Sequence, residues 1–405
     1  MRFSVRSKLG PLFLGALLLS LPARAQTPSA PSDEVERLRR ELQSVKQEYT
    51  DRLAALEERL KSLEAAQQAA SLPPPAPAAA PPATSSKIFN PDIAAIGDFL
   101  GVLGKTPGGG EPSLQMHESE LSFQAIVDPY ARADFFLTFG PEEVGVEEGF
   151  VTFPTLPGGL LMKVGKMRDA FGKVNGMHNH VLPWTDRPLV TNNLLGGEDG
   201  LADAGISLSR LIPNRVMFLE ATAQVYRGGS EVFKGPTRGD LAYVGHLRGY
   251  RDITESTNVD FGGSLAYGHN GVTADSTTRL FGVDAAFRYR PLRRAIYKRL
   301  IGRSELVWSR RKDPELHTAF GGYGSLEYQF GRRWFAGARF DASARATAGS
   351  ITDKGGSLLL TYWPSEFSQV RAQYRHTRFG DGQKTANELL FQFLFAIGAH
   401  GAHVF

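Results

Sequence analysis

The sequence predicts a transmembrane β-barrel of about sixteen antiparallel strands, with about fourteen as the alternative count, preceded by an α-helical coiled coil. Three observations lead to this fold class. The closing stretch, 387–405, places a largely aromatic face on one side of an extended chain, opposite a mixed polar and apolar face, and ends on an aromatic residue. From residue 92 onward, apolar and polar residues alternate with a period of two in one segment after another. The first residues, 1–25, have the composition of a secretory signal peptide.

The signal peptide is predicted from three consecutive features. Arg2, Arg6 and Lys8 form a basic start, and residues 9–21 form an apolar core that is too short to span a bilayer. Ala23-Arg24-Ala25 has the pattern of a cleavage site. The chain is therefore expected to be exported, with a mature protein that contains no transmembrane helix.

Residues 26–70 are predicted to form a periplasmic coiled coil. Apolar residues recur at alternating spacings of three and four, with one four-residue slip at Tyr49 to Leu53, and Glu and Arg fill the flanking positions. The segment offers nothing else for this apolar stripe to pack on, so we interpret it as self-associating. A homotrimer is expected, and the helix would extend toward the peptidoglycan; docking of the helix on its own barrel is the alternative.

A linker rich in Pro and Ala, 71–91, follows the coiled coil. Such a composition favours extended polyproline geometry, which advances about 3.1 Å per residue. The linker would hold the coiled coil away from the barrel, which is predicted to occupy 92–405.

Alternation within the barrel region is repeated too often to be accidental. The clearest strands are 119–127, 131–139, 217–225, 259–267, 281–289, 334–342 and 369–375. Further strands are expected around Asp98, Val151, Val164, Ile206, Tyr243, Leu306, Tyr323 and Leu360, besides the closing one. A soluble sandwich also alternates, but here the apolar faces carry aromatic residues and the polar faces carry few lysines. The aromatic face of the closing strand is therefore assigned to the lipid bilayer.

Composition removes several classes of function. The chain contains no cysteine, which excludes thiol catalysis, disulfides and cysteine-ligated zinc. A net charge of +4, without a basic run interleaved with aromatic residues, does not indicate a nucleic-acid partner. No nucleophile motif is present, so we predict neither an enzyme nor a cofactor.

One segment, 169–203, does not alternate and is too long for a neutral connection, so it is predicted to be an inward-folded loop. The octapeptide at its start, GKMRDAFG, occupies 165–172, and Trp184 and the DRPLV sequence at 186–190 follow. These motifs resemble the phosphate-selective porin O/P family of bacterial outer-membrane porins. Ala170 stands where that family has proline.

The resemblance implies a sixteen-stranded trimeric channel in the outer membrane for passive diffusion of small polar or anionic solutes. It extends over 92–405 as an architecture, but its sharpest motif covers only 165–190. No ladder of residues for phosphate selectivity can be matched. The predicted constriction and solute-binding residues are Lys166, Arg168, Arg187, Arg339, Arg371 and Arg375.

Two histidines in the predicted loop add an alternative function. His178 and His180 stand two residues apart, so both side chains point the same way in an extended loop, and they are candidate metal ligands. A metal-linked uptake protein, with zinc as the cation, is therefore kept beside the channel. A structural outer-membrane tether with a closed barrel is the other alternative.

Overall fold

A computed structural model gives the three-dimensional structure of the chain. It describes isolated positions between 36 and 61 and then residues 91–107, 110, 112–140, 144–382 and 385–398. Two compact units divide the chain, residues 1–83 and residues 84–405. No helix within the described residues is long and apolar enough to cross a membrane.

The predicted N-terminal elements fall largely outside the described residues. The described positions between 36 and 61 are all helical and exposed. The rest of the predicted coiled coil lies outside the described residues, as do the signal peptide, the linker up to residue 90 and the tail from residue 399. The coiled coil and its trimer therefore stay predictions.

Sixteen antiparallel strands form the second unit. The first eight are β1 (Asp92–Lys105), β2 (Leu114–Asp128), β3 (Ala131–Phe139), β4 (Val144–Leu156), β5 (Leu160–Arg168), β6 (Ala202–Leu211), β7 (Phe218–Tyr226) and β8 (Ala242–Thr254). The others are β9 (Thr257–His269), β10 (Thr277–Tyr289), β11 (Arg299–Asp313), β12 (Glu315–Gln329), β13 (Trp334–Arg345), β14 (Ala348–Ser365), β15 (Ser368–Arg378) and β16 (Ala386–Gly398). Each alternating segment of the sequence corresponds to one of these strands.

The sheet closes on itself because the last strand pairs with the first. Neighbouring strands in sequence are hydrogen-bonded throughout, and β16 completes the ring against β1 in a register that runs from Ala94–Gly398 to Lys105–Asn387. Closure leaves no unpaired sheet edge. A closed barrel is the one arrangement in which β-strands can span the hydrocarbon core of a bilayer with all their backbone groups hydrogen-bonded. The predicted all-β barrel and its count of sixteen strands are confirmed.

Alternation along each strand separates an apolar exterior from a polar interior. On β16, Phe391, Phe393 and Phe395 are exposed on the outer face, whereas Glu388 and Gln392 are buried on the inner face. An outer surface of exposed aromatic and aliphatic side chains on so many strands is stable only in an apolar solvent.

Candidate functional site inside the barrel

The connection between β5 and β6, residues 169–201, folds into the barrel interior. It contains a short 3-10 helix, Asn179–Val181, and a helical turn that we call α1, Leu189–Leu194. The sequence placed its end at residue 203, but the strand pairing of β6 already begins at Ala202. We call residues 169–201 the insert.

Wall residues hold the start of the insert by accepting hydrogen bonds from its backbone. Lys173 N and Val174 N both donate to Glu305 Oε1 at 2.7 Å, and Gly172 N donates to Ser264 Oγ at 2.9 Å. Gly172 adopts φ +63°, and a Cβ there would lie 2.7 Å from Glu305 Oε2. Only glycine fits this left-handed turn against the wall.

Apolar packing anchors the middle of the insert. Phe171, Trp184 and Leu194 are almost fully buried inside the barrel, and the rings of Trp184 and Tyr323 meet edge to face at 5.0 Å. The guanidinium of Arg339 lies 5.0 Å from the Trp184 ring centre. Burying each large apolar side chain contributes about 1.5–3 kcal/mol, so the insert is a folded part of the interior.

Asp186 carries the insert's main ionic contact with the wall. Arg339 Nη2 and Arg375 Nη1 each lie 3.0 Å from Asp186 Oδ2, and the amide of Gln373 donates to Oδ1. Burial by itself would raise the pKa of Asp186, but the two guanidinium groups and these hydrogen bonds lower it to about 2. The carboxylate is thus held charged between β13 and β15.

A second polar group forms where the insert meets β2 and β4. We call it the histidine–glutamate cluster; its members are His178, His180, Glu118, Glu120, Glu147 and Glu148. His178 Nδ1 lies 2.6 Å from Glu120 Oε2, and its Nε2 lies 2.7 Å from Glu148 Oε2. Burial lowers the pKa of His178, but hydrogen bonds to these two carboxylates outweigh it and raise the pKa to about 10.

Two of the predicted solute-binding arginines hold the base of the insert. The Arg168 guanidinium donates to the Glu147 carboxylate and, at 2.7 Å, to the carbonyl of Asp199. Arg187 Nε donates to Asn179 Oδ1 at 2.9 Å. Both arginines are buried, so in this arrangement their charges act on the fold of the insert.

Lys166 is placed away from the interior. It is exposed on β5 and shares the outward face with Val164, because side chains two apart on a strand point the same way. Lys173 of the insert is the lysine that reaches the inner wall, where its Nζ lies 2.7 Å from Asp260 Oδ1. Arg248 Nη2 lies 2.7 Å from Oδ2 of the same aspartate. These three charges remain partly exposed.

The remaining predicted arginines all face the interior. Arg339 and Arg375 meet at Asp186, as described above. Arg371 donates to Thr361 Oγ1 at 3.2 Å and to Gln392 Oε1 at 2.9 Å, and it is buried. Of the six predicted solute-binding residues, Arg375 is the one that combines an inward position with partial exposure.

Sequence reasoning missed three residues that organise this site. Lys173 had a detectable signal, since it directly follows the GKMRDAFG motif. The sequence analysis included Asp186 only as part of the DRPLV motif and did not single out Glu305. The partners of Asp186 and Glu305 lie more than 130 residues away in sequence, so no local pattern identifies their contacts.

The architecture and interior define a class of protein: a closed sixteen-stranded barrel with an apolar exterior, a charged interior and a folded insert inside it. Solved outer-membrane porins have the same fold. An anion-selective porin from Comamonas acidovorans matches with a TM-score of 0.55 at 10% identity, covering 76% of this chain and 99% of that one.

Two further solved structures agree. Pseudomonas putida OprB gives a TM-score of 0.53 at 9% identity, covering 77% of this chain and 95% of that one. The outer-membrane channel DcaP of Acinetobacter baumannii gives a TM-score of 0.51 at 10% identity, covering 76% of this chain and 97% of that one.

Comparison at the level of sequence is less specific. No family profile matches the chain. A protein of Aquifex aeolicus strain VF5, described as uncharacterized, is 29% identical over 388 residues, covering 79% of this chain and 81% of its own length.

Proposed function

We propose that the protein is an outer-membrane channel for the passive diffusion of small polar solutes, with a preference for anions. The observation that carries this proposal is the closed barrel whose polar interior is narrowed by the insert. The apolar exterior is stable in contact with lipid, and the charged interior can hold water and interact with polar solutes that pass through it.

The proposed solute path follows the partly exposed charges beside the insert. On one side these are Lys173 of the insert with Arg248 and Asp260 of the wall, and on the other Asp186 of the insert with Arg375 of the wall. Cations and carboxylates on facing walls create a transverse field, which orients polar solutes as they pass. We assign the buried Arg168, Arg187, Arg339 and Arg371 to shaping this path instead of contacting the solute.

The anion preference rests on two observations. Lys173, Arg248 and Arg375 place three cations along the proposed path. One solved structure with this fold is described as an anion-selective porin. The resemblance of 165–190 to the phosphate-selective porin O/P family points the same way, and membership of that family is part of the proposal.

The proposed assembly is a homotrimer held in register by the periplasmic coiled coil, 26–70, which would extend toward the peptidoglycan. Deleting 26–70 from the exported chain tests this role. We expect trimers that dissociate at a lower temperature than those of the full chain, measured by semi-native gel electrophoresis after stepwise heating. Trimers of unchanged stability would argue against it.

Planar-bilayer recording tests the channel itself. Purified protein is expected to give stepwise ion conductance, and a potassium chloride gradient is expected to give a reversal potential of the sign set by chloride. Absence of conductance from correctly folded barrels would reject the channel and favour a closed structural tether. A reversal potential of zero would reject the anion preference alone.

A further inference from the structure

The histidine–glutamate cluster has the composition and spacing of a metal site. Glu120, His178 and His180 each offer one ligand atom, and these atoms all lie within 4.8 Å of one another. Two imidazoles and a carboxylate are a common ligand set for zinc and similar divalent transition metals. All three side chains are buried, so they are already positioned by the fold.

Distances between the ligand atoms are close to those that a bound ion requires. Ligand atoms of a tetrahedral zinc site lie about 3.3 Å apart, given metal–ligand bonds of about 2.0–2.1 Å. His180 Nδ1 lies 3.6 Å from Glu120 Oε2, and His178 Nδ1 lies 3.5 Å from Glu147 Oε2. The 2.6 Å hydrogen bond between His178 and Glu120 must lengthen by several tenths of an ångström to admit the ion.

Charge in the pocket favours a cation. Four glutamates surround the two histidines, against two cationic groups: Arg168 at Glu147, and the protonated His178 at Glu120 and Glu148. A metal ion bound at His178 Nδ1 would displace the proton from that nitrogen. Glu120 Oε1 and Glu147 Oε2 are buried without a hydrogen-bond partner among the described residues. Buried carboxylate oxygens without a partner are costly, and metal coordination is one way to satisfy them.

We propose that Glu120, His178 and His180 bind a divalent transition-metal cation, with Glu147 at the fourth position. The ion would join β2 and β4 of the wall to the insert through one centre. It would therefore fix a part of the insert that the Asp186 contact does not hold. The site is independent of the channel activity, because binding requires only the folded barrel.

Isothermal titration calorimetry with zinc chloride tests the site on the full-length protein, purified in detergent after chelator treatment. We expect about one equivalent of zinc per chain. Glu120→Gln and His180→Ala should each weaken binding by at least about tenfold, since each removes one ligand. His246→Ala is the matched control, because this imidazole lies on the inner wall beside Ser264 and outside the cluster.

Each variant is checked for heat-dependent gel mobility, which reports a folded barrel. If His180→Ala does not fold, the zinc affinity of the nearly isosteric Glu120→Gln variant tests the site on its own. Failure of the wild-type protein to take up zinc would overturn the proposal, as would variants that bind zinc as tightly as the wild type. Because calorimetry needs no conductance, a barrel that binds zinc but does not conduct would refute the channel and leave this site standing.

Discussion

At the scale of single residues, the interior is organised by carboxylates that bind the insert. Glu305 accepts two backbone N–H groups of the insert, whereas Asp186, on the insert itself, accepts from guanidinium groups of the wall. Hydrogen bonds to charged groups contribute about 1.5–3 kcal/mol each, more than neutral ones. A few such residues therefore decide where a long irregular segment lies.

Gly172→Ala should loosen the insert. A non-glycine residue at φ +63° costs about 1–3 kcal/mol, and the new Cβ would also press on the Glu305 carboxylate. Guanidinium unfolding in detergent should show a loss of that size in the free energy of unfolding. Gly176→Ala is the control, because a Cβ at that position meets no atom within 4 Å. Equal stability of the two variants would contradict the proposed strain.

Asp186 should make stability depend on pH in the acid range. Its pKa is lowered from 3.8 to about 2, so the stabilisation is complete above 3.8 and is lost as the pH falls through 2. The full contribution is about 2 kcal/mol. The charged groups that lower the pKa are Arg339 and Arg375, and the Gln373 amide adds a hydrogen bond.

Comparing the wild type with Asp186→Asn isolates this titration from those of the other acids. The difference in unfolding free energy should be constant above pH 4 and shrink toward zero near pH 2. A difference that persists undiminished at the acid limit would show that the charge of Asp186 does not stabilise the insert.

At the scale of elements, the insert connects opposite sides of the barrel. Its N-terminal part contacts β7, β9 and β11, His178 contacts β2 and β4, and α1 packs on β12 and β13. Contacts distributed around the ring keep the insert in the interior. Among the described residues, this connection is therefore the element that fills part of the interior.

Lys173→Gln should shift ion preference toward cations. Removing this charge leaves Asp260 and Asp284 with less compensation, so the chloride-to-potassium permeability ratio should fall by a factor of about two. Reversal potentials in a salt gradient measure the ratio. Lys166→Gln removes the same charge from the outward face and should leave the ratio unchanged. A lower ratio for Lys166→Gln and an unchanged ratio for Lys173→Gln would instead place Lys166 at the constriction.

At the scale of the whole molecule, closure and alternation produce a barrel with two different surfaces. The exterior is apolar across its middle, and the interior holds ion pairs that would be unstable in lipid. The same strands provide both surfaces, because successive side chains point in opposite directions.

Phe393→Arg tests the assignment of the exterior to lipid. Phe393 lies mid-strand, paired with Phe99 and Val370, and a charge at the bilayer centre costs about 2–4 kcal/mol. Ile397→Arg, near the end of the same strand and on the same face, should cost about 0–1 kcal/mol. Refolding into lipid vesicles measures both values. Equal costs for the two variants would argue against a membrane-embedded exterior.

Local pattern predicted much of the barrel. Alternation identified sixteen strands and assigned Arg339, Arg371 and Arg375 to the inner face, because the period of a strand is a property of consecutive residues. Strand parity also places Lys166 on the outward face of β5, together with Val164, although it lies within the GKMRDAFG motif.

By itself, the sequence determined the barrel fold and the existence of an irregular insert and indicated about sixteen or fourteen strands, since each follows from periodicity or its absence; the structure decided the count of sixteen. Only the tertiary structure decided what the insert touches. Asp186 meets Arg339 and Arg375, and His178 meets Glu120 and Glu148, across long sequence separations. Those contacts depend on closure of the ring, which brings distant strands around one interior and which no stretch of consecutive residues encodes.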